Sequence, residues 1–398
     1  MRPEDLKKYA RVYAAVDLDA AAENAKAMKA ALPGGTGLMA VVKADGYGHG
    51  ALPIARAVEP YTEGFAVATA EEAAGLRENG IKKPILVLGP VPEAWYEELV
   101  RGRIRLTVFE LDQARALSAV ALRAGRKALI HLAVDTGMSR IGVRPSREGA
   151  ELAKAISLLP GISVEGVFTH FARADEADKS SYRAQFEAYR NFLGLLKEQG
   201  ISGFKRHCSN SAGIVEGLDS NGLELVRAGI ALYGLYPSKE VRRDLAVLRP
   251  LLELKSHISY VKEIGPGTPV SYGGTFTAER TMRVATIPVG YGDGYPRNLS
   301  GRGAVLIGGR RARILGRICM DQLMVDVSHI PEAKTGWAVT LLGRDGQEEI
   351  TAQELADLSG GFHYELLCCL GKRVPRIYTS KGEAVGVKDC SVETYREL

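Results

Sequence analysis

The 398-residue sequence is poor in cysteine. It has five (Cys208, Cys319, Cys368, Cys369 and Cys390), an odd number at irregular spacing. That pattern argues against a disulfide framework. No Cys-x-x-Cys pair occurs, so no structural zinc or other metal is expected. No run of about 18 apolar residues is available to span a bilayer. The segment from Met1 to Arg11 is charged and lacks an apolar centre, so no secretory signal is expected there. The expected compartment is cytoplasmic, with no membrane partner. Charge of one sign is also scarce: 52 Lys and Arg offset 47 Asp and Glu, leaving a net +5. Without a basic stripe, no nucleic acid partner is expected.

What is present is an ordinary globular composition, 46% hydrophobic and 25% charged, on a chain long enough for two domains. Up to about residue 247, short apolar strand-like runs alternate with helix-like segments. The runs fall at 12–16, 38–42, 64–67, 85–88, 106–108, 129–134, 164–168, 205–208 and 223–226. About eight such units imply a parallel sheet covered by helices. The expected fold class is α/β, with residues 1–247 forming a (β/α)8 TIM-type barrel. An open doubly wound sheet is the runner-up, weakened by the lack of Gly-x-Gly-x-x-Gly after the first strand. From 248 to 398 glycine-rich turns separate strands such as 254–261 and 282–288, and helices nearly vanish apart from 351–358. This predicts a C-terminal, mostly β domain.

Barrel strands deliver functional groups at their C-terminal ends. Lys43 follows the apolar run 38–42 and precedes the glycine-rich Ala44-Asp45-Gly46-Tyr47-Gly48-His49-Gly50. A lysine there is costly to bury unless it is paired or used chemically. A covalent imine to pyridoxal phosphate fits, with the lysine as anchor and later as base; a surface lysine in a turn is the plainer alternative. Other strand ends bring Asp135 to Arg140, Thr169-His170, His207 to Gly213 and Arg227 to Ile230. His170 alone would suit a satisfied core histidine, and Arg140 alone a surface ion pair; together they suggest one mouth. Asn210-Ser211 resembles a helix start that could accept a phosphate, with further backbone donors at Gly229 and Ile230. In the β domain, polar loops around Tyr272, Tyr291, Met320-Asp321 and Tyr364 suggest a pocket wall.

The runs Ala40 to Gly50, Asp135 to Gly142, Thr169-His170-Phe171, Ser209 to Gly213 and Arg227 to Ile230 continue with Ser271 to Phe276, Pro288 to Tyr295, Cys319 to Gln322 and Arg373 to Arg376. With these motifs in order over nearly its whole length, the chain resembles the alanine racemases, two-domain enzymes of pyridoxal-phosphate fold type III. The resemblance implies a homodimer with shared active sites, acting on a small amino-acid substrate and supplying D-alanine for peptidoglycan. It implies that Lys43 binds the cofactor and acts as one base, and that Tyr272 of the partner subunit is the other. Arg227 would face the pyridine nitrogen and Arg140 the phenolic oxygen. Tyr47, Asn210, Ser211, Gly229, Ile230 and Tyr364 would lie at cofactor-binding positions, and His170 would pack beside the ring. Arg140, Met320 and Asp321 would lie on the substrate side, with Tyr291 along the substrate corridor. Racemases of serine, lysine or ornithine share the scaffold and are the alternative. A cofactor-binding protein without turnover is disfavoured by the complete β domain, and a decarboxylase by Tyr272.

Two expectations follow. Lys and Tyr ordinarily titrate near about 10.4 and 10, so both bases need lowering, which nearby cations would provide. A guanidinium does not readily give up its proton, so the ring nitrogen should stay unprotonated and side reactions should be suppressed. One departure stands out. The family often has a carboxylated lysine two residues before Asp-Thr-Gly-Met, where this chain has Ala133, so that carbamate is missing and a chloride, a neighbouring carboxylate or water is left to orient Arg140.

Overall fold

A computed structural model describes residues 11–218 and 222–389; the segment preceding Arg11 and Cys390 lie outside the described residues. Contacts divide the chain into two units. One comprises 20–46 and 51–250, the other 1–19, 47–50 and 251–398.

The first unit is built on eight parallel strands: Gly37–Val41, Gly64–Val67, Ile85–Val87, Arg105–Val108, Ala128–Ala133, Ile162–Phe168, Lys205–His207 and Leu225–Ala228. Each pairs with the next, and Leu225–Ala228 pairs back onto Gly37–Val41. The remaining seam is bridged by the Glu224 N–H to Arg206 O (3.2 Å) and the Arg227 N–H to Ser209 O (2.9 Å). Residues such as Leu38, Ala40, Phe65, Ala66 and Ile130 are wholly buried. Burial on both faces explains why these strands read as continuous apolar runs. The intervening helices start on identifiable caps. Thr69 and Glu72 form a reciprocal capping box, and Ser146 accepts the Gly149 N–H.

The second unit is built on a sheet that ends in the order Ala338–Asp345, Leu252–His257, Val12–Asp17, Arg376–Ser380 and Glu383–Lys388. The strand at 12–16, expected to open the barrel, belongs here. It runs antiparallel to Leu252–His257 and parallel to Arg376–Ser380. Its alternating burial suits a sheet with two unlike faces better than a barrel wall. The single strand expected over 254–261 is two, Leu252–His257 and Tyr260–Ile264. Between them Ile258 is wholly buried and donates its N–H to Trp337 O (2.8 Å), so the chain changes neighbours at that point. A second short helix, His363–Cys368, follows Ala352–Ser359. A hairpin, Pro269–Val270 with Phe276–Thr277, carries Tyr272–Gly274 at its tip. Val270 and Phe276 pack into a cluster with Ile264, Met282, Val284 and Leu315, which supports the hairpin. Among the described residues no helix is long and apolar enough to cross a membrane, and no group of three or more His, Cys, Asp or Glu could hold a metal.

Candidate active site

Lys43 stands just past the end of Gly37–Val41 and is partly buried. The backbone after it turns left-handed: Ala44 and Asp45 have φ 51° and ψ 49°, and Tyr47 has φ 50°. L-residues disfavour this conformation. Side-chain hydrogen bonds hold it. Glu72 Oε1 accepts the Ala44 N–H (2.5 Å), and Asp45 Oδ1 accepts the Ala51 N–H (3.0 Å). Neither acid was a candidate from sequence.

Arg227 lies inside strand Leu225–Ala228, although it was expected just beyond its strand, and His207 ends strand Lys205–His207, within the run expected at 205–208. In-strand placement turns both side chains into the barrel, where they are buried. Arg227 Nη1 donates to His207 Nδ1 (2.8 Å) and His207 O (3.0 Å). Nη2 donates to Thr169 O (2.7 Å), Cys208 O (3.1 Å) and His170 Nδ1 (3.2 Å). Among the described residues its Nε–H meets no acceptor, so one donor remains for a ligand. Burial pulls the guanidinium down to about 10, which leaves it protonated at neutral pH. His170 is held down to about 3, first by burial and then by Arg227, Arg140 and Lys43. One neutral imidazole thus feels three cations drawn from three strand ends. Because its Nδ1 accepts from Arg227, its proton sits on Nε2. Gln185, not anticipated from sequence, ties the neighbouring loops together through Thr136 Oγ1 (3.3 Å) and His170 O (3.2 Å).

The helix expected at Ser211 spans Ser211–Val215 and is capped by Asn210, whose Oδ1 accepts the Gly213 N–H (3.1 Å). Ser211 Oγ accepts the N–H groups of Gly229 (2.9 Å) and Ala231 (3.2 Å). The Gly229 N–H, expected as a ligand donor, is therefore committed to Ser211. The serine's own O–H is left to donate, and Ile230 heads the 3-10 turn Ile230–Tyr233, where leading N–H groups lack intrahelical acceptors. Arg140 is exposed and, among the described residues, makes no hydrogen bond or ion pair. It lines a cavity of about 600 Å³ with Asp135, Ser139 and Arg144. Ala133 is buried in Ala128–Ala133 and brings no charge to Arg140.

The other candidates lie in the second unit. Tyr47 is buried, which pushes its hydroxyl well above the usual tyrosine range, with Cys368 adding to the shift. Its ring is 6.2 Å from that of Tyr364, which stacks on Phe362 at 4.5 Å. The adjoining loop is fixed by Arg376, a buried guanidinium that donates to the carbonyls of Gly48 (2.9 Å), Gly371, Val374 and Leu370 (2.7 Å each). Tyr272 is 67% exposed at its hairpin tip, after Ser271 at φ 66°. Tyr291 and Met320 are also exposed, and their loops are joined: the Tyr291 N–H donates to Cys319 O (3.1 Å) and the Gly292 N–H to Met320 O (2.9 Å). A Cβ at Gly290 would lie 2.1 Å from Cys319 O, so only glycine permits this approach. Arg373 bridges Asp321 (2.7 Å) and the buried Asp293 (2.8 Å). Tyr272, Tyr291 and Met320 thus share one unit and an exposed setting.

The site suits a phosphorylated pyridine aldehyde. It has a primary amine at Lys43, a cation with one uncommitted N–H at Arg227, and hydroxyl and helix-start donors around Ser211. Comparison with known proteins identifies the family. Residues 16–237 match the family model "Alanine racemase, N-terminal domain" and residues 251–378 "Alanine racemase, C-terminal domain". An alanine racemase of Desulforamulus reducens is 46% identical over 92% of this chain and 98% of its own length. One from Clostridium perfringens is 44% identical over 95% of this chain and 98% of its own. The solved alanine racemase of Clostridium difficile superposes with a TM-score of 0.91 at 38% identity, covering 96% of this chain and 99% of its own. That of Bacillus anthracis, with bound L-Ala-P, gives 0.89 at 36% identity over 96% and 98%. Identity of this level across both units joins barrel and β unit in one enzyme class, the amino-acid racemases, which are isomerases, and the chain belongs to the alanine racemase family.

Proposed function

We propose that this chain interconverts L-alanine and D-alanine with pyridoxal phosphate, as a homodimer in the cytoplasm, and so supplies D-alanine for peptidoglycan. The observation that carries the proposal is the convergence of Lys43, Arg140 and Arg227 on the neutral His170 at the barrel's strand ends. Pyridoxal phosphate, joined to the amino acid's nitrogen, withdraws electrons from Cα and makes its proton removable. The chain's residues do the rest. Lys43 Nζ holds the cofactor and moves a proton on one face of Cα. Tyr272 Oη, exposed on its own chain and supplied to the partner subunit, moves a proton on the other. One proton leaves, one arrives on the opposite face, and the net reaction is isomerisation. Arg227 Nε–H would serve the ring nitrogen and keep its own proton. Ser211 Oγ–H and the Ile230 N–H would bind phosphate, with Asn210 and Gly229 shaping that loop, and Tyr47 and Tyr364 would be phosphate-binding hydroxyls of the second unit. Arg140 would orient the ring oxygen and the substrate carboxylate, while Met320, Asp321 and Tyr291 would belong to the substrate side.

The test is circular dichroism of purified protein with pyridoxal phosphate and L-alanine, with L-serine, L-lysine and L-ornithine in parallel. Conversion of alanine that is lost in Lys43→Ala is expected; turnover of only another amino acid would overturn the substrate assignment. Mixed Lys43→Ala and Tyr272→Phe chains should regain part of the activity. No recovery in an exchanged heterodimer would exclude shared sites.

A further inference from the structure

Two buried histidines inside the barrel have no part in that reaction scheme, yet they form a line with Arg227. His207 is wholly buried and His131, in strand Ala128–Ala133, is 4% exposed. A guanidinium can only donate, so His207 Nδ1, at 2.8 Å from Arg227 Nη1, must be an unprotonated acceptor. The His207 proton is therefore on Nε2, which lies 2.8 Å from His131 Nδ1. His131 Nδ1 must accept in turn, and its proton is on Nε2. One tautomer is dictated at each ring. The rings meet edge-on at 4.9 Å, and His207 stacks on Phe168 at 5.0 Å. Burial keeps both neutral, joined at His131 by the cations Arg105, Lys205 and Arg227, and at His207 by Arg227, His131 and Lys205.

The backbone is adapted to this pair. The ladder between Ala128–Ala133 and Ile162–Phe168 shifts register at Ile130/His131. Gly166 lies against the imidazole, and a Cβ there would be 2.4 Å from His131 Nδ1. On its far side His131 lines a cavity of about 340 Å³ with Arg105, Glu165 and Lys205, at the N-terminal ends of the strands.

We propose that His131 and His207 are positioning residues for Arg227: a relay of fixed tautomers that sets the roll of the guanidinium and reserves its Nε–H for the cofactor ring. The proposal rests on the racemase reading for its consequence, but not for its geometry. Of the acceptors around Nη1, the His207 ring is the one held by a further side chain, so loss of His131 frees His207 to rotate or change tautomer.

The test begins with two-bond ¹H–¹⁵N spectra of the full chain labelled with ¹⁵N-histidine, with and without pyridoxal phosphate, assigned through His131→Asn and His207→Asn. Both rings should carry hydrogen on Nε2 and a bare Nδ1. A proton on His207 Nδ1 would overturn the relay. His131→Leu removes the acceptor, whereas His131→Asn keeps an oxygen near the Nδ1 position. The leucine variant should bind pyridoxal phosphate about 10-fold more weakly and lose about 10- to 100-fold in kcat/KM, mainly in kcat; the asparagine variant should stay within about 3-fold. Gly166→Ala, which displaces the ring, should resemble the leucine variant. A folded His131→Leu chain with unchanged cofactor affinity would overturn the proposal. If the unmodified protein fails to racemise alanine, the function is wrong, while the tautomers and the cofactor affinity still decide the relay. If His131→Leu fails to fold, the spectra of the unmodified chain decide.

Discussion

Acid should destabilise this fold through the two barrel histidines. In the folded chain His131 is held down to about 3 and His207 well below its ordinary value. Unfolded, each should titrate near about 6.5. Between about pH 6.5 and pH 3 the unfolded chain therefore binds protons that the folded chain refuses, so stability falls as pH falls. Above about pH 7.5 neither state binds them and the effect vanishes. Going from pH 7.5 to 5.0 costs about 2 kcal/mol at His131 by proton linkage, and His207 adds a loss of the same sign. Arg227 adds no slope here, because it is protonated in both states across this range. The assay is urea unfolding followed by circular dichroism at the two pH values, without added cofactor. Carboxylates contribute their own acid sensitivity, so the decisive quantity is the difference between variants. His131→Asn should shrink the loss by about 2 kcal/mol. An equal loss in both chains, or a gain in acid, would refute the reasoning.

Three other substitutions test separate parts of the structure. Arg376→Met removes the donor shared by four carbonyls and should cost about 3 kcal/mol or more in chemical denaturation, together with weakened binding of pyridoxal phosphate. Gly50→Ala places a Cβ 2.0 Å from Tyr378 Oη at φ +103° and should cost about 2–4 kcal/mol, read as a lowered thermal midpoint. Tyr272→Phe, at a 67% exposed position, should leave stability within about 0.5 kcal/mol while activity falls about 100-fold or more.

The barrel was legible because its strands are buried on both faces and so appear as uninterrupted apolar runs, such as Gly37–Val41. Lys43, Thr169-His170 and Asn210-Ser211 could be located because they directly follow such runs. The partner of a strand is a different matter. Val12–Asp17 carries no mark in its own residues that it pairs with Leu252–His257 and Arg376–Ser380, more than two hundred positions away. Arg227 was expected one step too far along because a polar residue normally ends an apolar pattern; here it and His207 satisfy each other inside the barrel. The Gly229 N–H was assigned to a ligand because sequence cannot show that Ser211 Oγ takes it. Glu72 and Gln185 went unnoticed, and Arg376 was seen only as part of the run Arg373 to Arg376, for the same reason, since their work is hydrogen bonding to backbone brought near only by folding. At Arg140 the structure shows an exposed guanidinium in an open cavity that Asp135 also lines, with Ala133 buried in its strand.

The turn that follows Lys43 has a consequence for handedness. Ala44, Asp45 and Gly46 trace one turn of left-handed helix, the mirror image of the barrel's helices. For an L-residue each such step costs about 1–2 kcal/mol, and for its enantiomer the same dihedrals are the comfortable ones. A semisynthetic chain with D-alanine at position 44 should therefore be about 1 kcal/mol more stable than the natural one. The backbone beside the anchoring lysine would thus prefer, at that single position, the stereoisomer of alanine that the enzyme is proposed to make.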